Sequence, residues 1–276
     1  MLMKYDFFFG QSNDTSEISL FNKWRFPSKD LRLGTNDIQV WKASLDQDAS
    51  QLQILQNNLT PEESAKALQL CFPRDRRYFI VTRALLRMLL GYYLDIQPSK
   101  VQFLYRRQGK PALVNDSNIT KLNFNLSHSN GLVLYCLTRG REIGVDIQGT
   151  QMNIPYRIIA NKFFSPHEVS MFRDLPICMQ KDAFFKCWTR KEAYIKARGE
   201  GILGTLNHFD VSIAPDKKAE LLSVYGDPKE TYQWSLLDLF PGPGFVGALA
   251  VEGHDCSITC YKMKPSCLHK GRKMVQ

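Results

Sequence analysis

Residues 188–196 read Trp-Thr-Arg-Lys-Glu-Ala-Tyr-Ile-Lys and lie in the middle of a long amphipathic segment, residues 182–198. The segment predicts a helix, and Gly199 directly after it is the residue type that commonly ends one. Glu192 and Lys196 are four residues apart, in the orientation that also favours a simple ion pair on a helix surface. The spacing alone therefore allows either a functional carboxylate or a solvated pair.

Two segments upstream of this helix carry further acids. Residues 144–148 read Gly-Val-Asp-Ile-Gln, which predicts a strand whose apolar side chains point away from Asp146. An acid on an apolar strand is costly unless it is paired or binds a cation, so a salt bridge and a metal site are both open. Residues 165–168, Ser-Pro-His-Glu, predict a helix start at which Glu168 completes a capping box.

Residues 124–129, Phe-Asn-Leu-Ser-His-Ser, predict a strand that ends in a tight turn at Asn130-Gly131. The hydroxyls and the imidazole at this strand end are groups that can bind phosphate oxygens. The alternative is that Ser127 and Ser129 only satisfy turn backbone and that His128 is incidental. A Gly-x-Ser-x-Gly elbow is absent, which argues against a serine hydrolase.

A second long helix is predicted over residues 73–94, after a capping box at Thr60-Pro-Glu-Glu63. Arg76, Arg83 and Arg87 fall on one side of this helix. We expect at least one of the three to belong to a solvated basic stripe opposite the core.

The 276-residue chain carries a net charge of +9, and the charge is uneven. Residues 1–141 hold 19 Lys and Arg against 12 Asp and Glu, whereas residues 142–276 hold 17 against 15. The basic half suggests an anionic partner: nucleic acid, a phosphorylated small molecule or an acidic protein. With 44% hydrophobic residues and no apolar run long enough to span a bilayer, the sequence predicts a globular cytoplasmic protein without membrane contact.

The seven cysteines are scattered and odd in number, which favours reduced thiols. One cluster near the C-terminus raises the alternative of a zinc site: His254, Cys256, Cys260, Cys267 and His269. Its spacing fits no common zinc finger, and residues 256–260 are more typical of a terminal strand. We expect a strand and a tail here.

Helices and strands alternate without the regular order of a doubly wound sheet, so the expected class is α+β. We expect an N-terminal extension over residues 1–37, an N-terminal α+β half over 38–141, and a C-terminal α+β half with an irregular tail over 142–276.

The order of these segments is more specific than any one of them. Gly-Lys-Pro at 109–111, then residues 124–129, 144–147, 163–168 and 188–201, resembles the 4′-phosphopantetheinyl transferases of the Sfp (surfactin-synthetase-activating) type. The resemblance implies a pseudo-dimer of two similar α+β halves with coenzyme A between them. It also implies an Mg²⁺-dependent monomer (Mn²⁺ is an alternative) that moves phosphopantetheine from coenzyme A to a serine of an apo acyl or peptidyl carrier protein, releasing adenosine 3′,5′-bisphosphate.

The resemblance also assigns roles to individual residues. Asp146, Glu192 and Gln148 correspond to metal ligands, and Glu168 to an acid that helps to deprotonate the carrier serine. The residues that correspond to coenzyme A contacts are Gly109, Lys110 and Pro111 at the adenosine, Ser127, His128 and Lys196 at the phosphates, and Arg83, with Arg76 as an alternative, at the 3′-phosphate. His128 and Lys196 are also expected to assist catalysis.

Gln148 departs from the family pattern, because many members have glutamate there. Glutamine removes one negative charge from the metal site, so metal affinity and the choice between Mg²⁺ and Mn²⁺ stay open. Two other functions also stay open: a non-enzymatic basic module that binds nucleic acid or another polyanion, and a coenzyme A-binding relative without activity. No nucleic-acid-binding motif is present, so we do not expect nucleic acid as a partner.

Overall fold

The computed structural model describes residues 23–28, 31–105, 109–114, 121–199, 206–214 and 217–264. The first part of the chain forms β1 (Asp37–Ser44), α1 (Ala49–Gln56), α2 (Pro61–Leu68), α3 (Pro73–Leu94), β2 (Phe103–Tyr105), β3 (Pro111–Leu113), β4 (Leu122–Ser129) and β5 (Leu132–Arg139). The second part forms β6 (Ile143–Gly149), α4 (Tyr156–Phe163), α5 (Pro166–Asp174), α6 (Ile177–Arg198), β7 (Phe209–Val211), β8 (Leu221–Val224), β9 (Trp234–Leu239), β10 (Phe245–Glu252) and β11 (Ser257–Lys262).

In the described residues, one order of elements occurs twice: a strand, three helices, a short hairpin and two further strands. In the first half β5 lies between β1 and β4, and in the second half β10 lies between β6 and β9, all antiparallel. The hairpins are β2–β3 and β7–β8. The prediction of an α+β fold with two similar halves is therefore confirmed.

The two long helices are the central elements of the halves, and each has 22 residues. The predicted bounds of α3 are confirmed, and α6 begins five residues earlier than the pattern indicated. Gly199 ends α6 with a positive φ of 71°, and Asp95 ends α3 in the same left-handed conformation. Each long helix packs against the sheet of its own half, where its apolar residues form the core.

The solvated stripe expected at Arg76, Arg83 or Arg87 of α3 is wrong, because Arg76 and Arg83 are half-buried and Arg87 is buried. Arg87 is only 3% exposed. It forms a bidentate pair with Glu63 and donates to the carbonyls of Pro98 and Val101. Charged side chains are almost never this buried unless they are paired, and this pairing makes burial of the arginine tolerable.

The last strand of the chain crosses to the first half. β11 pairs in parallel with the edge of β1, and Arg25 continues this contact through a bridge to Tyr261. Trp24, which precedes that bridge, donates its indole N–H to the Phe240 carbonyl of the second half. The division of the chain near residue 141 stays a prediction, and residues 1–22 of the expected extension lie outside the described residues.

Of the three described members of the terminal cluster, His254, Cys256 and Cys260, only Cys260 lies in a strand. Both ring nitrogens of His254 are engaged, by Ser235 Oγ and the Tyr232 carbonyl. Cys260 is buried within β11. Cys267 and His269 lie outside the described residues. Within the described ranges, none of the helices is long and apolar enough to cross a bilayer.

Candidate active site

The two halves meet where β4 faces β6, and polar side chains rather than a backbone ladder join these strands. Asn125, Ser127 and Ser129 alternate along β4 and therefore share one face. Asn125 Oδ1 accepts from the backbone N–H of Val145 at 3.0 Å, and Ser129 Oγ accepts from that of Gly149 at 3.1 Å. The residue between the two, Ser127, is thereby aimed at the middle of β6.

Asp146 is the centre of this seam and is 1% exposed. Its Oδ1 accepts from Ser127 Oγ at 2.7 Å and from Lys196 Nζ at 2.6 Å. Lys196 Nζ also donates to Ser127 Oγ at 3.0 Å. Gln148 Nε2 lies 3.3 Å from Asp146 Oδ2. Asp146 is therefore paired with Lys196 of α6, and the amide of Gln148 lies beside the Asp146 carboxylate.

Glu192 lies on α6 one turn before Lys196 and is 4% exposed. Burial, and secondly the negative charge of Asp146, raise the pKa of Glu192 to about 7 against the opposing effect of Lys196. Two carboxylates in each other's field, with an amide beside them, are the hard oxygen donors that suit Mg²⁺ or Mn²⁺, and a cation between them would relieve their repulsion. In the described part of the chain no three His, Cys, Asp or Glu residues cluster as a metal site, so a cation here would need further ligands besides these two acids.

Gly144 allows α6 to come this close to β6. A Cβ at this position would collide with the Ala193 carbonyl and the Ala197 backbone N, and would lie 2.9 Å from the Ala197 Cα. The missing side chain brings the backbone of α6 against the strand, which places Glu192 and Lys196 opposite Asp146.

The other face of β4 borders a cavity of about 340 Å³ between β4 and α3. His128 points to this side, opposite to Ser127, and lines the cavity together with Thr82 and Arg83. Burial, and secondly the charge of Lys196, lower the pKa of His128. The histidine is therefore neutral near pH 7 until an anion approaches it.

Arg83 is held at the cavity wall with donor capacity left over. Its Nη2 donates to the Tyr105 hydroxyl at 2.9 Å and its Nε lies 3.4 Å from Glu63 Oε1. Arg83 Nη1 and Thr82 Oγ1 are buried and have no hydrogen-bond partner. Neither atom is solvent-accessible. Arg83 as a residue lines the cavity, so its positive charge, rather than these two atoms, would attract a bound anion.

The remaining basic candidates also have contacts within the protein. Arg76 Nη2 donates to the carbonyls of Leu68 and Leu70 at and just after the end of α2, whereas its Nε is buried without a hydrogen-bond partner. Lys110 Nζ lies 3.3 Å from Glu142 Oε2 and also donates to the carbonyl of Ala197 at the end of α6.

The other two residues of the Gly-Lys-Pro segment begin the hairpin. Gly109 has a positive φ of 78°, and Pro111 starts β3 opposite Tyr105. Adenosine binding by this segment stays a prediction.

Glu168 lies in a different environment from the other candidates and is not exposed at all. Both carboxylate oxygens accept from Lys191 Nζ at 2.7 Å. Backbone N–H groups of Ser165 and Val211 donate to them as well. Burial raises the pKa of Glu168, and the charge of Lys191 opposes this effect.

The structure thus brings together Ser127, Asp146, Gln148, Glu192 and Lys196, and places His128 and Arg83 on the other side of the same strand. Sequence reasoning missed three contributors: Asn125, Gly144 and Lys191. The alternation of polar residues along β4 was a signal for Asn125, because residues 125, 127 and 129 must share a face. Gly144 and Lys191 are part of the segments that carry the family resemblance, but nothing near them in the sequence indicates the close approach of α6 or the pairing with Glu168.

Comparison with known proteins identifies the family of the chain. Residues 142–251 match the 4′-phosphopantetheinyl transferase superfamily, and residues 39–137 match the N-terminal region of 4′-phosphopantetheinyl transferases. The chain is 37% identical over 234 residues to the 4′-phosphopantetheinyl transferase HetI of Nostoc sp., covering 85% of this chain and 95% of that protein. The chain belongs to the 4′-phosphopantetheinyl transferase superfamily.

Two more distant relatives of this transferase carry the same activity in their names. The chain is 27% identical over 164 residues to the 4′-phosphopantetheinyl transferase Sfp of Bacillus subtilis, and the match covers 59% of this chain and 70% of Sfp. Similarity to the human L-aminoadipate-semialdehyde dehydrogenase-phosphopantetheinyl transferase is 28% over 168 residues, 57% of this chain and 54% of that protein. The transferase described here moves phosphopantetheine from coenzyme A to carrier proteins.

Proposed function

We propose that the transferase is of the Sfp type and that coenzyme A binds across β4, with its phosphates divided between the two faces of that strand. Lys196 and Ser127 would contact the pyrophosphate at the seam. Arg83 and His128 would contact the 3′-phosphate on the cavity side. The observation that supports this proposal is that Arg83 and His128 line one cavity on the side of β4 opposite Ser127, where Tyr105 and Glu63 hold Arg83 in place.

The metal part of the proposal rests on Asp146, Glu192 and Gln148. These side chains would hold Mg²⁺, with Mn²⁺ as an alternative, through carboxylate and amide oxygens. A bound divalent ion supplies charge neutralisation at the pyrophosphate. The repulsion between the two buried acids supports this assignment, because a cation is what lowers their joint energy.

The side chains of the seam act in the transfer by position and charge. Phosphoryl transfer depends on positioning and on stabilising negative charge more than on covalent chemistry of the protein. Lys196 would neutralise charge that develops on the leaving adenosine bisphosphate, and Ser127 would orient Lys196. His128 would hold the far end of coenzyme A, so that the carrier serine meets the phosphorus in line.

Two finer points complete the proposal. Residues 109–111 would hold the adenosine end, with Lys110 kept in place by the end of α6. The transferase would act as a monomer with internal pseudo-symmetry, which the recurrence of one element order in both halves supports. Light scattering of the purified protein at several concentrations tests this state.

The deciding experiment incubates the transferase with apo carrier protein, coenzyme A and Mg²⁺, and then weighs the carrier. A mass gain of one phosphopantetheine arm is expected with the wild type and none with Asp146→Asn. Asp174→Asn is the control, because it removes the same charge at an exposed position at the end of α5. A folded Asp146→Asn variant that transfers as well as Asp174→Asn would contradict the assigned site.

A further inference from the structure

Each half of the transferase contains a buried ion pair between a capping-box glutamate and its long helix. In the first half Glu63 caps α2 and pairs with Arg87 at 2.6 Å. In the second half Glu168 caps α5 and pairs with Lys191 at 2.7 Å. Arg87 and Lys191 are each the fifteenth residue of a 22-residue helix. The two pairs therefore occupy the same place in two copies of one arrangement.

In the first half, the capping-box glutamate has contacts with the long helix and no proposed role in the reaction. Glu63 fixes Arg87 and also lies 3.4 Å from Arg83, one turn earlier on the same helix. A capping-box glutamate thus sets the rotation of the long helix and the direction of its functional side chain. Buried polar networks of this kind have defined geometry because each member must be satisfied.

In the second-half pair, the Glu168 carboxylate has no acceptor position left for the proton of a substrate. Glu168 receives two hydrogen bonds from Lys191 and one each from the N–H groups of Ser165 and Val211, and it is not exposed. A general base must come within hydrogen-bond reach of the group it deprotonates. A carboxylate enclosed on this many sides is out of reach of a serine that arrives on another protein.

Lys191 is next to Glu192 on α6, and the residue before it, Arg190, is also buried and paired. At 100° per residue, three successive side chains point in three directions. Arg190 reaches Asp238 of β9, Lys191 reaches Glu168 of α5, and Glu192 faces the seam. Two ion pairs, Arg190–Asp238 and Lys191–Glu168, therefore hold α6 on the sides that do not carry Glu192.

We infer that Glu168 is a positioning residue that acts through Lys191 to fix the rotation of α6, so that Glu192 faces Asp146. It does not accept the proton of the carrier serine. This inference rests on the proposed function, in which Glu192 and Asp146 hold the divalent ion.

The test compares Glu168→Gln, Lys191→Met and the double variant with the wild type. Melting temperature, transfer rate, and coenzyme A affinity with and without Mg²⁺ by calorimetry are measured for each. Each single variant leaves one buried group without its charge partner, so both melt lower and lose Mg²⁺-dependent coenzyme A affinity by about ten- to a hundredfold.

The double variant buries no unpaired charge, so it melts higher than either single variant and recovers part of the affinity and transfer rate. Recovery is partial because the Gln amide oxygen cannot accept from both Ser165 and Val211, and the Phe209 carbonyl loses its Lys191 donor.

Leu89→Ala in the core of α3 serves as the control for general instability, since Leu89 is buried in the first half. It lowers the melting temperature but leaves the Mg²⁺ dependence of binding unchanged. A double variant with restored stability and coenzyme A affinity but no transfer overturns the inference, because it would show that the carboxylate itself is needed. A double variant as unstable as the singles overturns it as well. Wild-type coenzyme A binding that ignores Mg²⁺ would instead refute the proposed metal site, and the rescue by the double variant would still decide the role of Glu168.

Discussion

Lys196 Nζ donates to Asp146 Oδ1 at 2.6 Å, across 50 residues of sequence. From the sequence, Lys196 could instead have formed a surface ion pair with Glu192, one helical turn away. The contact with Asp146 instead ties α6 of the second half to the strand that faces β4 of the first half. Glu192 is left buried in the field of Asp146, which is an arrangement that favours a cation.

Arg83 is expected to decide the affinity for the 3′-phosphate. Arg83→Gln removes a charged donor and lowers coenzyme A affinity about ten- to a hundredfold, the effect of losing a charge-assisted hydrogen bond. It leaves dephospho-coenzyme A binding almost unchanged. Calorimetric titration of both ligands measures the difference.

Arg77→Ala is the control for this prediction, because Arg77 is an exposed arginine of the same helix and is not among the residues that line the cavity. It keeps the preference for coenzyme A over dephospho-coenzyme A. A wild type that binds both ligands equally would show that the cavity does not receive the 3′-phosphate.

Coenzyme A binding is expected to be coupled to protonation of His128. Burial lowers the pKa of His128, so the free protein carries a neutral imidazole near pH 7. A nearby phosphate raises that pKa again, so binding takes up to about one proton, and affinity falls as pH rises. Calorimetry in buffers of different ionisation enthalpy measures the uptake.

His128→Gln separates this uptake from the titration of coenzyme A itself. The variant is expected to bind more weakly and with less proton uptake. An unchanged uptake would assign the proton to another group.

Gly144→Ala is expected to separate α6 from β6. The added Cβ collides with the backbone of α6 at Ala193 and Ala197, which cannot move without the helix. Such overpacking costs about 1–3 kcal/mol of unfolding free energy, and the transfer rate falls because Asp146 no longer meets Lys196. Gly34→Ala is the control, since the nearest atoms to its added Cβ belong to the side chain of Asp37, at the start of β1, rather than to backbone. Equal thermal stability and transfer rate in the two variants would contradict the close-approach argument.

Local rules accounted for much of the fold in advance. Both capping boxes form as predicted, and Asn130 and Gly131 adopt the positive φ values of 45° and 81° expected of a tight turn. These features depend on residues within four positions of one another. The sequence therefore predicts where the helices begin and where β4 turns into β5.

The partners of the site residues could not be predicted in the same way. The sequence allowed Lys196 to pair with either Glu192 or Asp146. It pairs with Asp146 because α6 packs on β6. Glu168 has an ordinary capping-box position in the sequence, and its pairing with Lys191 depends on how α5 docks on α6. Contacts between distant segments follow from tertiary packing, which a spacing of three or four residues does not encode.

Gln148 is the residue whose exchange should change the metal requirement. Its amide adjoins Asp146 Oδ2, so Gln148→Glu would place a third carboxylate beside Asp146 and Glu192. Without metal, this variant should melt lower than the wild type in chelator, because three like charges would share a buried seam. With metal, the added charge should tighten binding.

The balance in Gln148→Glu depends on two opposing charge effects. A unit charge 4 Å from another is worth about 4 kcal/mol at an effective dielectric constant of 20, and the divalent ion carries twice that charge. Repulsion between the new carboxylate and the pyrophosphate acts over a longer distance, so the attraction to the metal should dominate. The Mg²⁺ concentration for half-maximal transfer should fall by about tenfold or more. Gln151→Glu, which adds the same charge at an exposed position just beyond the strand, should leave it unchanged. If the two variants require equal Mg²⁺, residue 148 does not contact the ion, and Asp146 and Glu192 are its only side-chain ligands among the proposed three.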